Sequence, residues 1–357
     1  MTKKHTKAAP KKRKKLNLAL QGGGAHGAFT WGVLDALLED DRIDFEGISA
    51  TSAGSMNAAI LAQGMAKGGV KGAKQLLSDF WWEVSEAGAA FSPVHRTPFE
   101  YMMALNPFMP QWGLNNSSTY AAYDSVVRAF SPYQFNPLNI NPLKDILSKM
   151  VDPNVISAGD IKLFISTTDV RRGTSKIFSH KDVTCDVLLA SAALPDLFQA
   201  VEIGEDAYWD GGYTGNPSLW PLFYQSQCRD ILIVHVNPIR REVLPYDAYD
   251  IENRENEITF NNSLLHELRS INFVKKLIHE DMLKDEYKDD YKDILIHAIR
   301  SDEMLKDLSL ASKFDTSWPF LSFLKDEGRK AGQEWLSKNY NALNEEGTVD
   351  IARDYLS

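Results

Sequence analysis

Leu16-Asn17-Leu18-Ala19-Leu20, Gln21-Gly22-Gly23-Gly24-Ala25-His26-Gly27 and Phe29-Thr30-Trp31-Gly32-Val33-Leu34-Asp35-Ala36-Leu37-Leu38 succeed one another near the start of the chain. The first of the three reads as a short buried strand. The last has helical spacing, with Val33, Leu34, Leu37 and Leu38 on one face. Strand, glycine run and helix in that order make an anion site. Glycine lets backbone N–H groups converge, and the helix N-terminus adds partial positive charge.

The arrangement then repeats with a different centre. Phe45-Glu46-Gly47-Ile48-Ser49-Ala50 reads as a strand and Met56-Asn57-Ala58-Ala59-Ile60-Leu61-Ala62 as a helix. Between them stands Ser52, flanked by Ala50, Ala53 and Gly54. A serine on a sharp strand-to-helix turn needs small neighbours two positions to either side, because strand and helix nearly touch there. This is the logic of the G-x-S-x-G nucleophile elbow. Ala50 is one methyl larger than the first glycine of that pattern, and the turn still forms if that position keeps a negative φ. Read together, the glycine loop binds an oxyanion and Ser52 attacks a carbonyl.

Much later the chain carries Asp210-Gly211-Gly212. With the G-G-G-x-x-G run of Gly22 to Gly27 and the elbow around Ser52, this motif makes the sequence resemble the patatin-like phospholipase family over residues 16–238. Ala190-Ser191-Ala192-Ala193-Leu194-Pro195 is similar to the family too. The resemblance implies a three-layer α/β/α fold whose mostly parallel central sheet carries helices on both faces. It also implies a lipid acyl hydrolase of phospholipase A, lysophospholipase or esterase type, working through a dyad of Ser52 and Asp210. Gly22, Gly23, Gly24, Ala25 and Gly27 then form the oxyanion loop. Ala50 and Gly54 support the elbow, and Gly211 and Gly212 leave room for the aspartate. An ordinary carboxylate has a pKa near 4, low for a general base at neutral pH, so the dyad calls for burial of Asp210. Two positions depart from the family pattern. One is Ala50; the other is His26, which stands where the family commonly carries Arg or Lys. His26 is expected to shape the loop or to face solvent. No cofactor, calcium ion or other metal is implied.

Other chemistries share some of these residues. Gly22, Gly24 and Gly27 also satisfy G-x-G-x-x-G, but a dinucleotide site needs an acid at the end of the second strand. Asp44 precedes that strand, and its end carries Thr51-Ser52. No Gly-Lys-Ser/Thr follows to make a P-loop. An α/β-hydrolase triad would need a histidine after Asp210; His235, near the carboxyl end of a buried strand, and His297 are the candidates. A weakly catalytic lipid- or partner-binding protein is the remaining alternative. No His, Cys or carboxylate cluster has metal spacing.

The chain has 357 residues, enough for a well-buried core, and a 44% apolar content ordinary for a globular protein. Cys185 and Cys228 make no disulfide framework and read as thiols in a reducing compartment. Residues 1–15 hold eight Lys or Arg and no acid, leaving 31 basic residues against 48 acidic ones elsewhere, a balance of −17. That basic tail is expected to be unpacked. It serves solubility or attracts anionic lipid, each basic residue near such a membrane contributing about 1 kcal/mol. The acidic body argues against nucleic-acid binding. Leu16 to Leu20 is too short for the apolar core of a secretory signal, and no run of about eighteen apolar residues spans a membrane. The expectation is a cytoplasmic protein, in peripheral contact with a membrane at most.

Further along, Gly68 to Ala73 reads as a connection and Gln75 to Val84 as a helix. Residues 91–145 are dense in proline and aromatics, and read either as a cap over the site or as a packed irregular insertion. A helix over Thr119 to Phe130 and an interfacial contact at Phe108, Met109 and Trp112 are expected there. Ile161 to Thr168 and Ser175 to Phe178 read as a hairpin, Asp186 to Ala193 as a helix, and Ile231 to Val236 as a doubly buried strand. Residues 16–238 thus read as the catalytic domain. Residues 239–357 form a mainly helical extension packed on it, with helices over Ser263 to Ile278 and Phe320 to Leu336 and one strand over Ile294 to Ile299. The charge run Glu280 to Asp293 reads as a solvated face.

Overall fold

The computed structural model describes residues 13–91, 129–300, 302–305, 308 and 310–357. Strand β1 (Lys14–Leu20) begins two residues earlier than its apolar run suggested, so the basic tail read as 1–15 is cut back. Polar groups at this end of the sheet take the charges. Lys14 Nζ donates to the Leu343 carbonyl at 2.7 Å, and Arg13 pairs with Asp44 at 2.9 Å. The tail expected over residues 1–12 lies outside the described residues, as do Phe108, Met109, Trp112 and nearly all of the helix expected over Thr119 to Phe130.

From β1 the chain passes through the glycine loop into α1 (Gly27–Glu39), then β2 (Ile43–Thr51) and α2 (Ala53–Phe91). Helix α2 has two arms. Gly68 (φ −153°, ψ 19°) and Gly69 (φ 58°, ψ −151°) leave helical geometry, and the chain doubles back so that Gly64 lies against Ala73. The connection expected over Gly68 to Ala73 is thus shortened to a hairpin corner at Gly68 and Gly69, which returns Phe80 and Trp81 towards Ser52. Trp81 Nε1 donates to Asn57 Oδ1 at 3.0 Å across the two arms.

Strands β3 (Lys162–Asp169) and β4 (Thr174–Ser179) form the expected hairpin. Helix α3 (Cys185–Ser191), β5 (Val201–Ile203) and β6 (Asp206–Asp210) follow, then β7 (Asp230–Val234), the long α4 (Ala248–His279), β8 (Leu295–Ile299) and α5 (Trp318–Asn339). Strands β3, β2, β1, β7 and β8 are parallel neighbours in that order, and β4, β5 and β6 join antiparallel at the β3 side.

Alternation along the strands sorts the core into two faces. Leu16, Leu18 and Leu20 pack with α1, α2 and α5, whereas Ala19, Phe164, Ile231 and Ile233 pack with Leu264 and Leu268 of α4. The sheet is thus the middle of three layers, mostly parallel, with helices on both faces. Residues 239–357 contribute to all three: β8 extends the sheet, α5 lies along α1, and α4 covers the other face. Helix α4 starts fifteen positions before the expected Ser263, its first turn capped by the Asp247 side chain. Among the described residues no helix is long and apolar enough to cross a membrane.

Leu18 is fully buried at the centre of β1 between β2 and β7. Leu18→Ala is expected to cost about 3 kcal/mol, read as a lowered urea midpoint with an unchanged slope.

Candidate active site

Strand register brings the distant motifs together. Each strand has two pairing edges, and β4 occupies one edge of β3 continuously from Phe164 to Asp169. On the other edge β2 pairs up to Thr51 opposite Ser166, and β6 takes over with Asp210 opposite Thr167. Strand β2 runs parallel to β3 and β6 antiparallel, so their carboxyl ends meet head-on. Ser52 is the residue after the end of β2; Asp210 is the last residue of β6.

Ser52 is buried and its backbone has φ 54°, in the left-handed region. That conformation costs a non-glycine residue on the order of 1–2 kcal/mol, and the surroundings hold it there. The Ser52 N–H donates to Ser191 Oγ at 2.9 Å, and Ser191 in turn donates to the Ser166 carbonyl at 2.7 Å. Close approach sets the residue types on either side. A methyl on Gly54 would stand 2.4 Å from the Leu20 carbonyl oxygen, and one on Gly22 would stand 2.6 Å from the Ser52 Cβ. Ala50 meets no such limit. It is an extended β2 residue paired with Leu20 and Ile165, so its methyl is buried without strain.

Asp210 is 1% exposed. One carboxylate oxygen accepts the Gly212 N–H at 2.7 Å, and the Ser52 hydroxyl stands beside the same carboxylate. Burial pushes its pKa up to about 6, against the opposing pull of these two donors and of the Lys313 ammonium. Its backbone is tied as well: the Asp210 N–H donates to the Ala193 carbonyl at 2.8 Å, and Thr168 Oγ1 donates to its carbonyl at 2.8 Å. Gly211 packs against the Ser166 carbonyl.

On the other side of Ser52 lies the glycine loop. Gly22 donates its N–H to Asn216 Oδ1 at 2.7 Å, and Gly23 precedes a single 3₁₀ turn over Gly24–His26 that runs into α1 at Gly27. The N–H groups of Gly24 and Ala25 open that turn, where helix donors lack internal partners. Gly24, Ala25 and Ser52 share the wall of one cavity of about 310 Å³. Its other walls are largely apolar, with Met56, Phe80 and Trp81 from the two arms of α2, and Leu143 and Ile146 from the helix Pro142–Met150. Gln21 anchors the loop from below: its Oε1 accepts the N–H of Val236 at 3.0 Å, and its Nε2 donates to Asn261 Oδ1 at 3.0 Å.

The three histidines of interest are all engaged elsewhere. His235 is buried with Nε2 at 2.7 Å from the Tyr355 hydroxyl, directed to the α4 face, and desolvation pushes its pKa down to about 3. His297 lies 3.0 Å from Asp230, which opens β7 at the amino end of the parallel strands, whereas Ser52 follows their carboxyl end. Neither joins Ser52 and Asp210. His26 does not face solvent: it is 3% exposed, and its Nε2 lies 2.7 Å from Ser312 Oγ. Burial, reinforced by Lys313, pushes its pKa down to about 3, so it is a neutral brace for the loop. Among the described residues no group of three or more His, Cys, Asp or Glu could hold a metal ion.

Sequence reading missed the supports. Ser191 stood inside a stretch similar to the family without a role attached. Asn216 and Gln21 carry no motif, and Lys313, whose backbone carbonyl packs against Gly24, lies in the C-terminal region far from any of them.

The sequence pattern of the family described as patatin-like phospholipase matches residues 18–223. No curated protein matches the chain. Among solved structures, VipD from Legionella pneumophila aligns at 14% identity with a TM-score of 0.38, over 98% of this chain and 73% of its own. ExoU of the type III secretion system of Pseudomonas aeruginosa, in its heterodimeric complex with SpcU, aligns at 18% identity with a TM-score of 0.35. That alignment covers 93% of this chain and 53% of the matched one, so the chain spans about half of that relative's length.

Ala50→Gly tests whether the alanine of the elbow limits the site. It is expected to leave esterase activity within about twofold while costing about 1 kcal/mol of stability through lost burial and added chain entropy. Parallel rate and denaturation measurements read both.

Proposed function

The chain belongs to the patatin-like phospholipase family and is a hydrolase of ester bonds, and on that premise we propose that it cleaves lipid carboxylic esters through Ser52 and Asp210. The observation that carries this reading is the Ser52 hydroxyl, at the wall of an apolar cavity, standing beside the buried carboxylate of Asp210. A serine hydroxyl is a poor nucleophile until a base accepts its proton. With the pKa of Asp210 raised to about 6, its carboxylate is a stronger base than an exposed one and is still ionised at neutral pH.

In the forward half, Ser52 Oγ bonds to the ester carbonyl carbon as its proton passes to Asp210. The negative charge that develops on the carbonyl oxygen meets the N–H groups at Gly24 and Ala25, one such donor being worth roughly 3–4 kcal/mol of barrier. Collapse breaks the ester C–O bond, and the alcohol leaves with the proton from Asp210. In the second half, water donates its proton to the same carboxylate and attacks the acyl-serine, which releases a fatty acid and restores Ser52. The walls formed by Met56, Phe80, Trp81, Leu143 and Ile146 suit an acyl chain, since an apolar tail there leaves water without losing hydrogen bonds. Through Leu143, the end of the segment 91–145 has a part in that recognition.

Hydrolysis of a medium-chain p-nitrophenyl ester tests the dyad. Ser52→Ala and Asp210→Asn are each expected to lose at least about 10³-fold in kcat/KM, whereas His235→Phe keeps activity within a few-fold. A dead but folded His235→Phe would move the reading to a triad hydrolase. The protonated carboxyl of Asp210 cannot accept the Ser52 proton, so the rate should rise with pH up to about 6 and be level across neutral pH. A rate already flat at pH 5 would remove Asp210 as the base.

A further inference from the structure

Lys313 is a charged side chain for which the dyad has no use, yet it is built into the wall of the same cavity. The short 3₁₀ turn Leu310–Phe314 presses its backbone on the glycine loop: the Lys313 carbonyl abuts Gly24, and Ser312 holds His26. The stem of Lys313 keeps partial exposure, while its ammonium is enclosed and donates to Asn237 Oδ1 at 2.8 Å and Asn256 Oδ1 at 2.6 Å. The ring of Phe260, which packs against Gly212, lies 5.4 Å from the ammonium.

Two neutral amide oxygens are an unusual setting for an enclosed cation, which is ordinarily paired with an anion. The titratable groups facing it are Asp210 at the end of β6, Glu257 on α4 and His26 in the loop. Glu257 is already engaged by Arg241 and by Arg254, the latter at 3.1 Å. His26 is neutral. Among the described residues Lys313 therefore faces two carboxylates: Glu257, which acts on it the more strongly but is shared with two arginines, and Asp210, which no other cation engages.

We propose that Lys313 is an electrostatic positioning residue of the ester-cleaving site: its ammonium, held by Asn237 and Asn256 against the Phe260 ring that packs on Gly212, holds Asp210 as an anion and adds positive field where charge develops on the ester oxygen. This rests on the Ser52–Asp210 reading. The field acts through a low-dielectric wall without the ammonium touching substrate. It is lost when Lys313 deprotonates, which desolvation allows at about pH 8, well below an ordinary lysine.

The test is the pH dependence of p-nitrophenyl ester hydrolysis for the full chain, Lys313→Met, Lys313→Arg and Ser52→Ala, with thermal melting of each. The wild-type rate is expected to form a plateau between about pH 6 and 8 and to fall on the alkaline side. Lys313→Met should lower kcat/KM at pH 7 by about tenfold or more, move the acid limb upward and remove the alkaline fall. Lys313→Arg should restore the pH 7 rate without an alkaline fall, because arginine stays charged. A Lys313→Met protein that melts like wild type with both limbs unmoved would overturn the proposal. So would a wild-type rate that stays level from pH 7 to 10, an outcome that needs no folded variant. Activity that survives in Ser52→Ala would instead overturn the underlying dyad, and the proposal with it.

Discussion

Two strands that end against each other on one edge of β3 are the constraint on which the site depends. The pairing of β2 stops at Thr51 opposite Ser166, and that of β6 stops at Asp210 opposite Thr167. Consecutive positions on one strand are held about 3.3 Å apart along the chain by backbone geometry, so Ser52 and Asp210 have little freedom to separate. The left-handed backbone of Ser52, the Ser191 contact and the two glycines of the Asp-Gly-Gly turn refine a proximity that the ladder has already imposed.

Burial then sets the chemistry. An exposed aspartate would be too weak a base, and one buried without partners would be neutral at pH 7. Asp210 lies between these limits: desolvation raises its pKa, while the Gly212 N–H, the Ser52 hydroxyl and a nearby cation pull it back. The same desolvation acts in the opposite sense on basic groups. It leaves His26 and His235 uncharged and makes Lys313 easier to deprotonate. The low-dielectric interior thus acts in opposite senses on Asp210 and on His26, His235 and Lys313, and no imidazole stands between Ser52 and Asp210.

The supports of the site come from both ends of the chain. Helix α5 lies along α1, whose first turn carries the glycine loop, and Leu310–Phe314 braces that loop from outside. The second arm of α2 returns from the Gly68–Gly69 corner to wall the cavity beside Ser52. Residues after 238 are thus part of the structural frame of the site. Loosening α5 would reach the glycine loop without any change in the motifs themselves.

Local steric demand explains what the sequence by itself determined. The strand–glycine–helix units at Gly22 and Ser52 were legible because close backbone approach excludes most side chains: a methyl on Gly54 would meet the Leu20 carbonyl, and one on Gly22 would meet Ser52. Period-two and period-3.6 patterns marked the strands and helices for the same reason, since each face meets one environment along its length. Ends were less legible. Lys14 and Lys15 read as tail because their partners, the Leu343 carbonyl and Glu46, are remote or ambiguous in sequence. Only the tertiary structure decided that β6 would run antiparallel to meet β2, that His235 would turn to Tyr355, and that Lys313 would stand beside Gly24. Those outcomes rest on charge and hydrogen bonding across long separations, where many positions could supply the same group and nothing in the local pattern says which one does.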